Sequence, residues 1–483
     1  MSGEPHLGVT LVLLFVVATI VALVARRVRV PYTVALVIAG LGLGATHVIE
    51  APPLTKELLF TLFLPGLLFE AAFHLEWREF WHDRVTLVAL AVPGVVAAMA
   101  VIGVALVPTM RLLGVDGGTT AALGTHAVLL FAALISATDP VAVVALFRAL
   151  AAPRRLTVVV EGESLLNDGT AIIFFTLALG ALAGPVSLGG LALDFLYVVG
   201  VGVVVGGATG VAGAELIRRV DEPMLEIMVT TIVAYGSFIA ADELRASGVI
   251  ATVTAGMLGG SRVGRRGLSA PARVAVVTFW EYVAFALNSV VFLLIGLVVR
   301  VPALLASWRA IVAAYLVVTA SRGIVTWALA RLLPKRLELP SGWTPLLAWG
   351  GLRGALSMVL ALAIPELVGA RDTLVTITFG VVILSILLQG ATIGPALRWL
   401  GVARESSHDS PYAVTRGALI AAHAALQELE RTTGGGHDGD ATAAEHHALA
   451  EEAIGHVRRA EGELAAALDR APTRGVPHTR DDG

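Results

Sequence analysis

The sequence predicts an all-α polytopic membrane protein: about thirteen transmembrane helices in two inverted six-helix repeats, some of them interrupted, followed by a short helical cytoplasmic tail. Three observations predict it. Hydrophobic residues make up 57% of the chain and charged residues 15%, with a mean hydropathy of +0.83, far from the balance of a soluble globular chain. Apolar stretches close to the length that crosses about 30 Å of hydrocarbon recur as far as residue 397. Arginine and lysine gather in every second connection between those stretches, as they do in cytoplasmic loops.

In chain order the apolar stretches cover residues 7–25, 31–46, 56–76, 85–109, 119–150, 156–182, 189–217, 223–241, 247–260, 273–299, 304–332, 344–368 and 373–397. The first follows Glu4 with no Lys or Arg ahead of it, which argues for a retained span rather than a cleaved leader. Connections after odd-numbered spans carry Arg26, Arg27 and Arg29; Arg78 and Arg84; Arg148, Arg154 and Arg155; Arg218 and Arg219; Arg262, Arg265, Arg266 and Arg273; then Lys335 and Arg336. Connections after even-numbered spans hold only scattered charges such as Lys56, Arg111, Arg245, Arg300 and Arg371. The amino terminus is therefore expected outside and the carboxyl terminus in the cytoplasm. Residues 1–400 form the transmembrane domain. Residues 401–483 form a cytoplasmic tail, with amphipathic helices expected near 412–432 and 441–470 and a disordered end. The tail histidines, among them His408, His423 and His437, match no metal-ligand spacing and read as a solvated face.

Two spans are poorly suited to being continuous helices. The fifth carries Thr138-Asp139-Pro140, where proline removes a backbone donor and disfavours helix in the residue before it. The twelfth carries Trp349-Gly-Gly-Leu-Arg353-Gly354. They run in opposite directions and lie seven spans apart, as an inverted repeat of spans one to six and eight to thirteen requires, with span seven as the link. Paired interrupted helices at matching positions point to a midplane substrate site in a secondary transporter.

The acids beside these breaks supply the chemistry. An ionisable side chain within a span costs several kcal/mol in lipid and marks a functional site by default. Spans five and six hold Asp139, Glu161, Glu163 and Asp168. Residues three, four and seven apart share a helix face, so Glu161, Ser164 and Asp168 form one stripe and Glu163 and Asn167 a second. Asp168 lies about 15–20 Å along span six at helical rise, near the midplane, and Glu161 nearer the cytoplasm, where it suits an entrance funnel. An alkali cation needs hard oxygen ligands. Asp168, Ser164, Thr138 and Asp139 can supply them with the carbonyls freed at the break, and proton and cation then compete for Asp168. Glu70, at the inner end of span three, is a further candidate. Arg353 needs a buried partner, for which Glu163 is the expectation, and Asn167 is expected to satisfy backbone groups freed in span five. Arg322 and Glu281 remain open, and could pair with each other.

Composition excludes other classes. There is no cysteine, which removes disulfides, thiolate catalysis and iron–sulfur sites. The net charge of -3 with dispersed basic residues argues against nucleic-acid binding. An intramembrane hydrolase with Ser164 as nucleophile lacks a base, His126 being the only histidine well inside a span. No catalytic residue and no cofactor is expected. A cation channel or an ion or pH sensor on the same scaffold shares the selectivity chemistry and is the alternative.

Thr138-Asp139-Pro140, Glu161-Gly-Glu-Ser-Leu-Leu-Asn-Asp168, Leu68-Phe-Glu70-Ala and Trp349-Gly-Gly-Leu-Arg353-Gly-Ala together resemble the monovalent cation:proton antiporter family, which includes bacterial NhaP-type antiporters and animal sodium/proton exchangers. The resemblance covers roughly residues 7–400. It implies the NhaA-like antiporter fold, with a dimerisation domain and a mobile core working by alternating access as a homodimer in the cell membrane. It implies that Thr138, Ser164, Glu70 and Asp168 surround a Na+ ion, with Asp139 contributing through water, and that Glu163 and Arg353 pair structurally. Asn167-Asp168 resembles the electroneutral branch, so one Na+ is expected to exchange for one H+, with Li+ and K+ left open. Pro65-Gly66 departs from the two prolines of many members.

Overall fold

A computed structural model describes residues 7–28, 31–46, 59–75, 77–150, 152–182, 187–220, 222–261, 270–332, 340 and 342–402. The chain divides into Met1–Ala403 and Arg404–Gly483. The second unit, with the two expected tail helices and the tail histidines, lies outside the described residues, as do Arg29, Lys56, Arg262, Arg265, Arg266, Lys335 and Arg336.

All regular structure among the described residues is helical. In chain order come α1 (Leu7–Val28), α2 (Tyr32–Thr46), α3 (Leu64–His74, entered through a π-helical turn at Leu59–Phe63), α4 (Trp77–Ala91), α5 (Pro93–Leu112), α6 (Gly117–Ala122), α7 (Thr125–Leu134) and α8 (Val141–Ala149). There follow α9 (Arg154–Gly180), α10 (Leu188–Ile217), α11 (Pro223–Glu243), α12 (Gly248–Gly260) and α13 (Ala270–Val298). The last are α14 (Val301–Ala306), α15 (Trp308–Leu332), α16 (Trp343–Trp349), α17 (Ala355–Leu362), α18 (Arg371–Leu384) and, after a π-helical turn at Ser385–Gln389, α19 (Gly390–Trp399). Each expected apolar stretch coincides with a helix or a broken pair. Six described segments, such as Trp77–Leu112 and Ala272–Val298, are long and apolar enough to cross a membrane. With 27 residues, α9 is as long as these and differs by its acids.

Helix ends depart from the apolar stretches where polar turns extend a helix. The fourth stretch was expected from residue 85, yet α4 starts at Trp77, because its polar first turns are held from the neighbouring helix. Arg155 donates to both carboxylate oxygens of the fully buried Asp83, at 2.6 and 2.8 Å. Pro93, which has no N–H, sits in the first turn of α5, where α4 gives way. Asp116, in the connection after α5, caps α6 by accepting from the Thr119 N–H at 2.7 Å, and that bond holds its carboxyl below the usual carboxylate range.

Two sets of helices follow from the contacts. In one, α9 packs on α4 and α7, α5 on α7 and α15, and α15 on α16 and α18. In the other, α2 packs on α13, α3 on α12, and α12 on α10 and α11. The close pairs of the second set rest on glycine, since small residues let membrane helices approach backbone to backbone. A β-carbon on Gly40 would lie 2.9 Å from the Gly296 Cα, and one on Gly44 would lie 2.7 Å from the Leu297 carbonyl oxygen. In the other pair a β-carbon on Gly256 would lie 2.9 Å from the Ala72 Cβ, and one on Gly260 would strike the Phe73 carbonyl oxygen. Both pairs use glycines four residues apart on one helix against two adjacent positions, 296 and 297 or 72 and 73, on the other. Thus α2 on α13 and α12 on α3 repeat one register.

The two breaks meet. Pro140 ends the non-helical segment between α7 and α8, and glycines 350, 351 and 354 lie in the one between α16 and α17. The Asp139 N–H donates to the Leu352 carbonyl at 2.8 Å, and a β-carbon on Gly354 would strike the Asp139 side chain.

Candidate cation-binding site

A cavity of about 340 Å³ opens between the two sets of helices. Thr138, Asp139, Ser164, Asp168, Glu70 and Glu161 all line it. The structure therefore brings the cation-site candidates of the sequence to one space, while Asn167, Glu163 and Arg353 lie behind its wall.

From α9, Ser164 is buried and Asp168 partly so. The Ser164 hydroxyl donates to the carbonyl of Thr138 and lies 3.2 Å from its hydroxyl. Asp168 Oδ1 is buried with no hydrogen-bond partner. An acceptor removed from water and left unmatched is unfavourable, so this oxygen stands ready for a proton or a cation. Asp139 accepts from the Val141 N–H at 3.0 Å, at the start of α8 and against Gly354 at the start of α17. A carboxylate there faces the positive ends of two half-helices.

The backbone freed at the breaks is capped by arginine. The Arg353 guanidinium donates to the carbonyls of Ile135, Ser136 and Ala137, the bond to Ser136 being 3.0 Å long. The Arg322 Nη2 donates to the Leu347 carbonyl at 3.1 Å, near the end of α16. Arg322 also donates to both oxygens of Glu163, Nη2 reaching Oε2 at 2.7 Å. This corrects the expected Glu163–Arg353 pair. Glu163 binds Arg322 on α15, which crosses α9 at that depth, whereas Arg353 is taken up by the carbonyls at the end of α7. It also corrects the suggested Arg322–Glu281 pair, because Glu281 lies 3.9 Å from His74 Nε2 instead. Asn167 was expected to serve backbone groups, but its amide donates to two side chains, the Glu163 carboxylate at 3.0 Å and the Thr138 hydroxyl at 3.3 Å. It thereby ties the buried ion pair to the break.

Glu70 enters from the other side. It stands on α3, which packs on α12 and α13, and its carboxylate lies 3.2 Å from His74 Nδ1, one turn along the same helix. At the mouth, Glu161 accepts from Arg148 at 2.9 Å, so the expected funnel acid is paired. Five polar lining residues were missed from sequence: Tyr32, Thr33, His74, Arg148 and Asn288. His74 is four residues from Glu70, a spacing that shows a same-face contact. Nothing local distinguishes Asn288, whose role depends on what α13 faces.

Residues 12–399 match the profile of the family described as "Sodium/hydrogen exchanger, transmembrane". The chain is 36% identical over 405 residues to the Na(+)/H(+) antiporter ApNhaP of Aphanothece halophytica, covering 83% of this chain and 75% of that one. It is 32% identical over 417 residues to the Na(+)/H(+) antiporter NhaH of Halobacillus dabanensis, covering 83% of this chain and 100% of that one. Among solved structures it is similar to the sodium proton antiporter MjNhaP1 of Methanocaldococcus jannaschii, with a TM-score of 0.65 at 19% identity over 82% of this chain and 98% of that one.

Proposed function

The chain belongs to the transmembrane sodium/hydrogen exchanger family, and from that membership we propose that it exchanges Na+ for H+ across the cell membrane as a secondary active transporter. The reading makes it a homodimer with its amino terminus outside and its carboxyl terminus in the cytoplasm. It crosses the membrane thirteen times in two inverted six-helix repeats, and it needs no cofactor beyond the transported ions. The repeated glycine register of α2 on α13 and α12 on α3 supports the inverted repeat.

The observation that carries the function is the unmatched Oδ1 of Asp168, in the cavity beside the crossing of two broken helices. Asp168 holds either one proton or one Na+. Ser164, the oxygens of Thr138 and, through water, Asp139 complete the cation's shell, with Glu70 joining from the facing set of helices. Glu163, Asn167 and Arg353 hold the frame, and Glu161 lines the funnel. Exchange follows from competition for one carboxylate, provided that the empty ionised site is unfavourable to move. Alternating access then exposes the loaded site to each side in turn.

Purified protein in liposomes with a trapped pH dye tests this. Addition of Na+ to the Na+-free side should drive protons the opposite way, and Asp168→Asn, with a side chain of nearly the same shape, should fold normally and lose that flux. Proton flux of normal size in Asp168→Asn would overturn the site. A channel would pass Na+ without obligatory proton movement, and a sensor would pass neither ion.

A further inference from the structure

We infer that Asn288, together with Thr33 in the same cavity wall, is a specificity-determining residue for the transported cation, lending neutral oxygens opposite Asp168. This inference rests on the exchange reading above. It starts from a second ladder in the cavity. On α9, Glu161 stands at the mouth and Asp168 seven residues deeper; on α13, Glu281 lies near His74 and Asn288 seven residues further along. Seven residues of helix span about 10 Å, so the two ladders share one pitch. Ala284, Phe285, Asn288 and Val291 all line the cavity, as one stripe of α13 should.

Asn288 is the amide on that stripe. It is partly buried and, among the described residues, has no hydrogen-bond partner. The hydroxyl of Thr33, on α2, also lines the cavity and is buried without a partner. Their neighbours are pinned. The Tyr32 hydroxyl lies 2.8 Å from the Ser289 hydroxyl, and the Tyr32 ring stacks on Phe285 with centroids 5.3 Å apart. Tyr32 therefore holds the turn of α13 that carries Asn288 at Phe285 and at Ser289, while the Asn288 amide stays free. A buried hydroxyl ordinarily finds a partner, so the open Thr33 hydroxyl and the unpaired, partly buried Asn288 amide in the cavity wall are suited to a cation that sheds water.

Neutral oxygens also suit transport. The number and field strength of neutral oxygen dipoles discriminate among alkali cations, and a further carboxylate at position 288, added to Asp168 and Glu70, would hold the ion more tightly. An amide on the facing wall completes the shell without trapping its occupant.

The test compares wild type, Asn288→Ala, Asn288→Ser, Asn288→Asp and Thr33→Val in liposomes, reading apparent KM and kcat for Na+, Li+ and K+ together with thermal stability. Asn288→Ala should raise the KM for Na+ about fivefold, the loss expected for one neutral polar contact, and by a different factor for Li+ or K+. Asn288→Ser, which retains an oxygen, should recover part of the loss, and Thr33→Val should change the same ratios in the same direction. Asn288→Asp should lower KM and kcat together. Unchanged ratios of KM among the cations in both Asn288→Ser and Asn288→Asp would overturn the inference, whatever Asn288→Ala does to folding, because a structural role moves all cations alike. Absence of exchange in the wild type would instead sink the underlying reading.

Discussion

Removing either member of the Glu163–Arg322 pair leaves a charge in a place that water barely reaches. Glu163 keeps 3% of its side-chain exposure and Arg322 12%, and breaking so buried a pair typically costs about 3–5 kcal/mol. Arg322→Ala therefore strands Glu163 with the Asn167 amide as its remaining donor, and Glu163→Ala leaves Arg322 only the Leu347 carbonyl. Each single change should fall in that range. The double change removes both charges and should recover a large part of the sum, with a coupling energy of about 2–3 kcal/mol at the upper end for contacting residues. Arg353→Ala is a different perturbation: it uncaps three carbonyls at the end of α7, at about 1.5–3 kcal/mol for a charged donor. Its coupling to Glu163→Ala should be much smaller, since the two share no hydrogen bond. The measurement is thermal unfolding of the purified protein in one detergent, followed by tryptophan fluorescence across both double-mutant cycles. Stronger coupling of Glu163 to Arg353 than to Arg322 would refute the assignment and restore the pairing suggested by sequence.

Electroneutrality gives a second expectation. With Asp168 as the one titrating acid and the amide of Asn167 beside it, one cation should exchange for one proton, whereas moving a net charge would couple to voltage by about 2.3 kcal/mol per 100 mV. Under a potential imposed by a potassium gradient and valinomycin, the Na+-driven pH difference should stay unchanged; a clear shift would implicate a second titrating group, with Asp139 the first candidate. The glycine register gives a third. Gly260→Ala would press a methyl group into the Phe73 carbonyl and should destabilise by about 1–3 kcal/mol, as overpacking does, whereas Gly103→Ala, with open space around it, should leave the unfolding temperature within a degree or so of wild type. Equal shifts in the two variants would count against the close α3–α12 contact.

The helices, the two breaks and the acid stripe were legible in the sequence because each is a local property. Apolar length marks a span, Pro140 and the glycines around Arg353 interrupt one, and helical geometry alone sets Glu161, Ser164 and Asp168 on a common face. The partners of the buried charges were not legible. Arg322 and Arg353 offered Glu163 the same chemistry, and the choice depends on where α15 crosses α9 and on the unpaired carbonyls at the end of α7, which attract Arg353 first. Likewise the glycines at positions 40, 44, 256 and 260 show in the sequence only as small residues, and their shared register appears once α2 lies on α13 and α12 on α3. Asn288 is one more polar residue in an apolar run until α13 is seen to face the cavity. Periodicity along one helix is determined by its own dihedrals, but a contact between helices is determined by crossing point, depth and side-chain direction. Those are properties of the assembled bundle, in which every neighbouring helix has a part.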